Sequence, residues 1–83
     1  MTERYVQTLE RALDILEVLS RAEESLGVTE IGNRIGLHKS TVHRILQTLC
    51  YRGYVEKEKE RERYRLGIKI VELGITFFND LEI

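Results

Sequence analysis

Proline and tryptophan are absent from this chain, cysteine occurs once, and the 25 residues from Ile31 to Val55 include no acid. The lone cysteine, Cys50, excludes an internal disulfide and suits a reducing compartment. No apolar run approaches the roughly 20 residues of a membrane-spanning helix, and the opening MTERYVQTLE has no apolar stretch of the signal-peptide kind. A cytoplasmic protein without membrane contact is expected. There is no Gly-rich phosphate loop. His38 and His43 are five residues apart and do not share a helix face, and Cys50 lies seven further on, which is no compact zinc site. With the four tyrosines read as structural, no catalytic group, metal or cofactor is expected, and the chain does not read as an enzyme.

What is present fits one small globular domain. Of 83 residues, 42% are hydrophobic and 33% charged, values that favour a modest core over disorder. The net charge of −1 conceals an uneven distribution. Residues 1–30 hold seven acids and three bases, residues 31–69 ten bases and four acids, and residues 70–83 three acids and no base. A polyanion is drawn to the middle third and repelled by both ends.

Periodicity predicts a helix from about Thr8 to Arg21, with Leu9, Leu13, Leu16 and Leu19 as its apolar stripe, widened by Ala12 and Ile15. Residues 22–27 read as a polar connection. Thr29 is the expected N-cap of a short second helix with Glu30 in its first turn, and Ile31 and Ile35 lie one turn apart. Gly36 is placed to stop that helix in a left-handed conformation. After Leu37, an apolar plug in a tight turn, a third helix starts at His38 or Lys39 and ends near Arg52, before Gly53.

The run EKEKERER does not suit a helix. There Glu56 would face Glu60, Lys57 Arg61, Glu58 Glu62 and Lys59 Arg63, all like-charge pairs. In an extended strand the same run puts acids on one face and bases on the other. Between Tyr54-Val55 and Tyr64-Arg65-Leu66 it predicts a hairpin with a charged tip, with Tyr54 and Tyr64 facing each other across its base. From Gly67 onward, Ile70, Leu73, Phe77, Phe78 and Leu81 predict a fourth helix that is apolar on more than one side. The expected fold is mainly α with a small β-hairpin: a winged helix-turn-helix over residues 5–67, with the helix-turn-helix at about 28–52 and the wing at about 54–66, then a linker helix over 68–83.

The third helix carries the chemistry. At about 100° per residue, Val42, Ile45, Leu46 and Leu49 form one face and Ser40, Arg44, Gln47 and Tyr51 the opposite one. His43 and Thr48 flank the outer face, and Lys39 and Thr41 project from the first turn. In a helix-turn-helix this end of the second helix enters the major groove, where arginine or lysine bridges guanine acceptors and glutamine matches adenine. A merely solvated face would mix acids with bases, and this one has none. Lys39, Ser40, Thr41, His43, Arg44 and Gln47 are the candidates for base readout. Thr29, His38, Tyr51, Arg52, Lys57, Lys59, Arg61 and Arg63 are the candidates for the DNA backbone. The wing's alternative role is a solvated edge whose charges block aggregation, since its glutamates neutralise its bases. Cys50 is expected at the edge of the core as a small hydrophobe.

The stretch VTEIGNRIGLHKSTVHRILQTLCYRGYVEK, followed by YRLGIKIVELG and preceded by RALDILEVLS, resembles the DNA-binding domain of IclR-type transcription regulators from Tyr5 to Leu81. The resemblance implies a bacterial or archaeal regulator, dimeric or tetrameric, that binds near-palindromic promoter sites in double-stranded DNA. It also implies a larger C-terminal domain, missing from this chain, that takes a small-molecule effector. His38 departs from the family, which often has proline or a small polar residue there. Histidine caps a helix less well than these, or it touches a phosphate instead.

Two further expectations concern assembly. The apolar surface of the fourth helix exceeds what one small domain covers and marks an interface, so the chain is expected to be a fragment of a longer protein. A homodimer is expected because one recognition helix reads too few base pairs, with Tyr5 and Val6 near the first helix and Phe77, Phe78 and Leu81 on the last as its contacts; Leu9 fits a core position as well as an interface. The competing class is a winged-helix module that binds protein and no nucleic acid, against which the acid-free window counts.

Overall fold

A computed structural model of the protein describes residues 4–81. The chain runs α1 (Gln7–Arg21), α2 (Val28–Ile35), α3 (Lys39–Tyr51), β1 (Val55–Lys57), β2 (Tyr64–Leu66) and α4 (Ile68–Asp80). The two strands form one antiparallel hairpin, so the fold is mainly α with a small hairpin, as expected. The final two positions of the expected linker helix, 82 and 83, lie outside the described residues.

The core joins α1, α2, α3 and the hairpin through Ile15, Leu19, Leu26, Ile31, Val42, Ile45, Leu46, Val55 and Tyr64. Ile15, Ile31, Val42 and Leu46 are fully enclosed, and each such burial contributes about 1.5–3 kcal/mol. On α1 the buried stripe is rotated from the expected one. Ile15 and Leu19 are buried with Ala12, Leu16 and Val18 packed beside them, whereas Leu9 and Leu13 stay exposed. Apolar residues cover so much of this helix that its sequence admits either face, and contact with α2 and β2 decides.

The connection after α1 is not simply polar. Leu26 is a core residue, and it exchanges two backbone hydrogen bonds with Tyr64, at 2.9 and 2.7 Å. This bridge ties the wing to the segment entering α2. The second helix then starts two residues earlier than the expected Thr29 cap allows. Gly27 is the N-cap, its N–H donating to Glu30 Oε1 at 2.8 Å, and Thr29 sits exposed in the first turn. Helix α2 ends at Gly36, left-handed at φ 73°, as expected. The N–H groups of Gly36 and Leu37 both donate to the Gly32 carbonyl, at 2.8 and 3.0 Å, which fixes the short turn into α3.

Strand register overturns one expectation. Lys57 pairs with Tyr64 and Val55 with Leu66, so Tyr54 does not oppose Tyr64. Tyr64 instead turns into the core under Lys57, whose ammonium lies 5.9 Å from the ring centroid. At the tip, Glu58 N–H donates to the Arg63 carbonyl at 2.7 Å, and Glu62 takes a left-handed φ of 52°. Helix α4 buries no residue fully. Ile68, Val71, Leu73, Ile75, Phe77, Phe78 and Leu81 are all exposed, an apolar surface like those that mark interfaces.

Candidate nucleic-acid interface

The entry to α3 is built by His38. Its backbone is extended, its carbonyl accepts from Val42 N–H at 3.1 Å, and its Nδ1 accepts from Ser40 N–H at 3.2 Å. A backbone N–H can only donate, so Nδ1 is the acceptor and the ring proton resides on Nε2. The Ser40 hydroxyl lies 2.9 Å from the same Nδ1. Histidine thus caps this helix after all, by an imidazole nitrogen placed where a serine or aspartate oxygen would be. The expected alternative, a protonated ring on a phosphate, would lose this cap, because an imidazolium has no acceptor.

Beyond the cap, Val42, Ile45 and Leu46 turn into the core. Lys39, Ser40, His43, Arg44, Gln47, Tyr51 and Arg52 are exposed, and Thr41 is half-buried on the flank toward α1. Tyr51 is 86% exposed, which removes it from any packing role. Among the described residues, Lys39, Arg44 and Arg52 have no carboxylate within ion-pair distance, whereas Arg21, Arg61, Arg63, Arg65 and Lys69 each have at least one. The face therefore keeps its positive charge unspent. Arg44, Thr48 and Arg52 also border a groove of about 820 Å³ against α1, floored by Leu9, Ile45 and Leu49.

The wing packs on the other flank, where Lys57 and Tyr64 lie beside His43, Gln47 and Cys50. Its bases fall into three groups. Arg65 bonds Glu56 Oε1 at 2.9 Å and Glu58 Oε2 at 3.0 Å, and Arg61 pairs with Glu58 at 3.0 Å. The exposed Arg65–Glu56 pair contributes little, about 0–1 kcal/mol, whereas the Glu58 side chain is only 19% exposed. Lys57 and Lys59 have no carboxylate partner among the described residues. Arg63 departs from its expected outward placement. It folds back onto the body of the domain, to Ser25 and Glu30, with its side chain only 25% exposed.

Glu30 is held below the usual carboxylate range, first by the Gly27 N–H bond, against a desolvation cost, and then by the Arg63 and Arg34 charges. The Cys50 thiol is pushed up by partial burial, against the pull of the Lys57 ammonium; it packs at the edge of the core, as expected. Ser25 and Glu30 were not visible as wing partners in the sequence, because Ser25 lies 38 residues from Arg63, Glu30 is little nearer, and no local pattern encodes either contact.

Three helices with a tight turn, an exposed cationic face on the third and a hairpin beside it define a winged helix-turn-helix domain. Comparison with known proteins is consistent with that geometry. The profile of the IclR helix-turn-helix domain matches residues 8–59. The transcriptional regulator XynR of Escherichia coli is 40% identical over 94% of this chain, and the glycerol operon regulatory protein of Streptomyces coelicolor is 41% identical over 92%. The crystal structure of an IclR family transcriptional regulator from Brucella abortus superposes with a TM-score of 0.85 at 34% identity, covering 95% of this chain and 30% of that one. This chain belongs to the IclR family of transcriptional regulators, as its helix-turn-helix DNA-binding domain. It spans 31% and 30% of the lengths of the two regulators.

Proposed function

We propose that the domain reads promoter DNA as a homodimer, with the first turns of α3 in the major groove of a near-palindromic site. The observation that carries this reading is the exposed, acid-free face of α3, whose cations Lys39, Arg44 and Arg52 have no carboxylate partner among the described residues. Arg44 and Gln47, at the centre of that face, take bases; Lys39, Ser40, Thr41 and His43 take bases from the entry end. Thr29, Tyr51, Arg52, Lys57, Lys59 and Arg61 meet phosphates, and His38 offers its Nε2–H to one. To meet a phosphate Arg61 leaves Glu58, whose half-buried carboxylate keeps Arg65.

The dimer rests on Tyr5 and Val6 in front of α1, on Phe77 and Phe78 of α4 and on Leu81 at its C-cap, all exposed in the single chain. Two copies place equivalent helices about 34 Å apart on one side of the duplex. The domain acts in the cytoplasm as a binding protein and not as an enzyme, without metal or cofactor. The small-molecule effector acts through a further domain, which the greater length of the relatives accommodates.

Two measurements test this. Affinity for arbitrary duplex DNA should fall steeply with salt, with a logarithmic slope of about −0.9 for each phosphate neutralised. Absence of binding at low salt would instead favour a protein-interaction module. Sedimentation with a palindrome against a half-site reads the stoichiometry: two chains are expected on the palindrome, and one chain at saturation would refute the dimer.

A further inference from the structure

Arg63 closes a contact that joins the wing to the helix-turn-helix. Its Nη1 lies 3.3 Å from Glu30 Oε1, its Nε donates to Ser25 Oγ at 3.2 Å, and its Nη2 donates to the Ser25 carbonyl. The same Glu30 oxygen accepts the Gly27 N–H at 2.8 Å, so one carboxylate caps α2 and holds the wing. Ser25 is 7% exposed, and the Leu26–Tyr64 backbone bridge lies immediately beside it.

Past the Lys57–Tyr64 pair the tip, residues 58–63, is closed by backbone bonds within itself, Glu58 N–H to the Arg63 carbonyl and Glu62 N–H to the Glu58 carbonyl. Neither bond fixes the direction of the tip relative to α3. The Leu26–Tyr64 bridge holds the base of the wing. The guanidinium adds an anchor for the last tip residue, on the segment before α2 and on the first turn of that helix, which in turn packs on α3. We propose that Arg63 and Glu30 are positioning residues for DNA binding: they aim the wing, and Arg63 makes no phosphate contact itself. This inference rests on the wing's role in the DNA-bound form set out above.

The two roles of Arg63 differ in sign at Glu30. If Arg63 touched phosphate, neutralising the nearby Glu30 would remove a repulsion and tighten binding. If the pair is a clasp, neutralising Glu30 weakens one of the holds on Arg63, those on Ser25 remaining, and binding weakens. Glu30→Gln is a mild change, since a glutamine at this helix position still accepts the Gly27 N–H.

The experiment compares wild type, Arg63→Ala, Glu30→Gln and the double variant by duplex affinity across salt, and by 15N relaxation of the tip amides 59–62 without DNA. Should the freed wing hold its productive direction a fifth to a tenth of the time, Arg63→Ala loses roughly five- to tenfold in affinity, and Glu30→Gln loses less, because the Ser25 contacts remain. The double variant loses no more than Arg63→Ala, the salt slope stays at the wild-type value, and the tip amides gain mobility in all three. A Lys59→Ala control lowers the slope by about 0.9. Tighter binding by Glu30→Gln, a slope change of that size in Arg63→Ala, or a tip as rigid as wild type in both single variants would overturn the clasp. Should wild type bind no duplex at any salt, the DNA-binding reading fails, and the relaxation data alone decide the clasp.

Discussion

Gly67 lies against the backbone carbonyl of Gly53, with no room between them for a β-carbon. Gly53 ends the turn after α3 at φ 86°, its carbonyl accepts Lys69 N–H at 3.1 Å, and Gly67 N–H donates to the Tyr54 carbonyl at 2.9 Å. The exit of α3, the base of the wing and the start of α4 therefore meet at two glycines. Gly67→Ala should cost about 1–3 kcal/mol, as overpacking against backbone does. Gly53→Ala should cost about 1–2 kcal/mol from its left-handed backbone. Gly74, mid-helix in α4 with open space around it, should respond oppositely, Gly74→Ala gaining about 0.5–1 kcal/mol. Urea titration of the three variants reads all three signs.

His38 caps α3 through Nδ1, and the cap is separable from any contact with DNA. His38→Ala should lose about 1 kcal/mol of stability. His38→Asn keeps an acceptor at the same place and should retain most of it. Equal losses in the two variants, measured by thermal unfolding at pH 7, would show that Nδ1 does not cap.

Glu30 carries a pH dependence of known sign. Its folded carboxyl is held below the ordinary value, chiefly by the Gly27 N–H. The stability contributed by the anion is present above the unfolded carboxylate pKa and is lost as pH falls through the lower folded one. Glu30→Gln should therefore destabilise the domain at neutral pH and converge on wild type at the acid end. Unfolding midpoints followed from pH 7 downward give the two curves, and parallel curves would refute the assignment.

Glu62 holds a left-handed φ of 52° at the wing tip. Glu62→Gly should stabilise the domain by about 0.5–1 kcal/mol, the steric relief exceeding the entropy lost by glycine. A lower urea midpoint would contradict this.

The helical part of the fold was legible where a single interpretation satisfied the spacing. Val42, Ile45, Leu46 and Leu49 admit one buried face, Gly36 and Gly53 mark stops, and the like-charge pairs of EKEKERER exclude a helix. Where the sequence admitted two solutions, tertiary contact chose. Leucine and isoleucine surround α1 so broadly that Leu9 and Leu13 read as core although they are exposed. Leu26 is a lone apolar residue with no period around it, so its bridge to Tyr64 was invisible. The six-residue tip between Lys57 and Tyr64 contains no turn signature, which left the register open and misplaced Tyr54. In the site, the exposed face of α3 follows from the same period as the core. Arg63 could not be told from its neighbours in an alternating run, because its partners Ser25 and Glu30 are set by the fold.

The central claim is that the outward face of α3 reads bases, with Arg44 at its centre. Selection of bound sites from a random duplex library, carried out in parallel with wild type and Arg44→Ala, tests it most directly. Wild type should enrich a two-fold symmetric site, and Arg44→Ala should lose preference at one position in each half, with a cost of about 1–3 kcal/mol on the wild-type sequence. An unchanged site and affinity in Arg44→Ala would contradict the account.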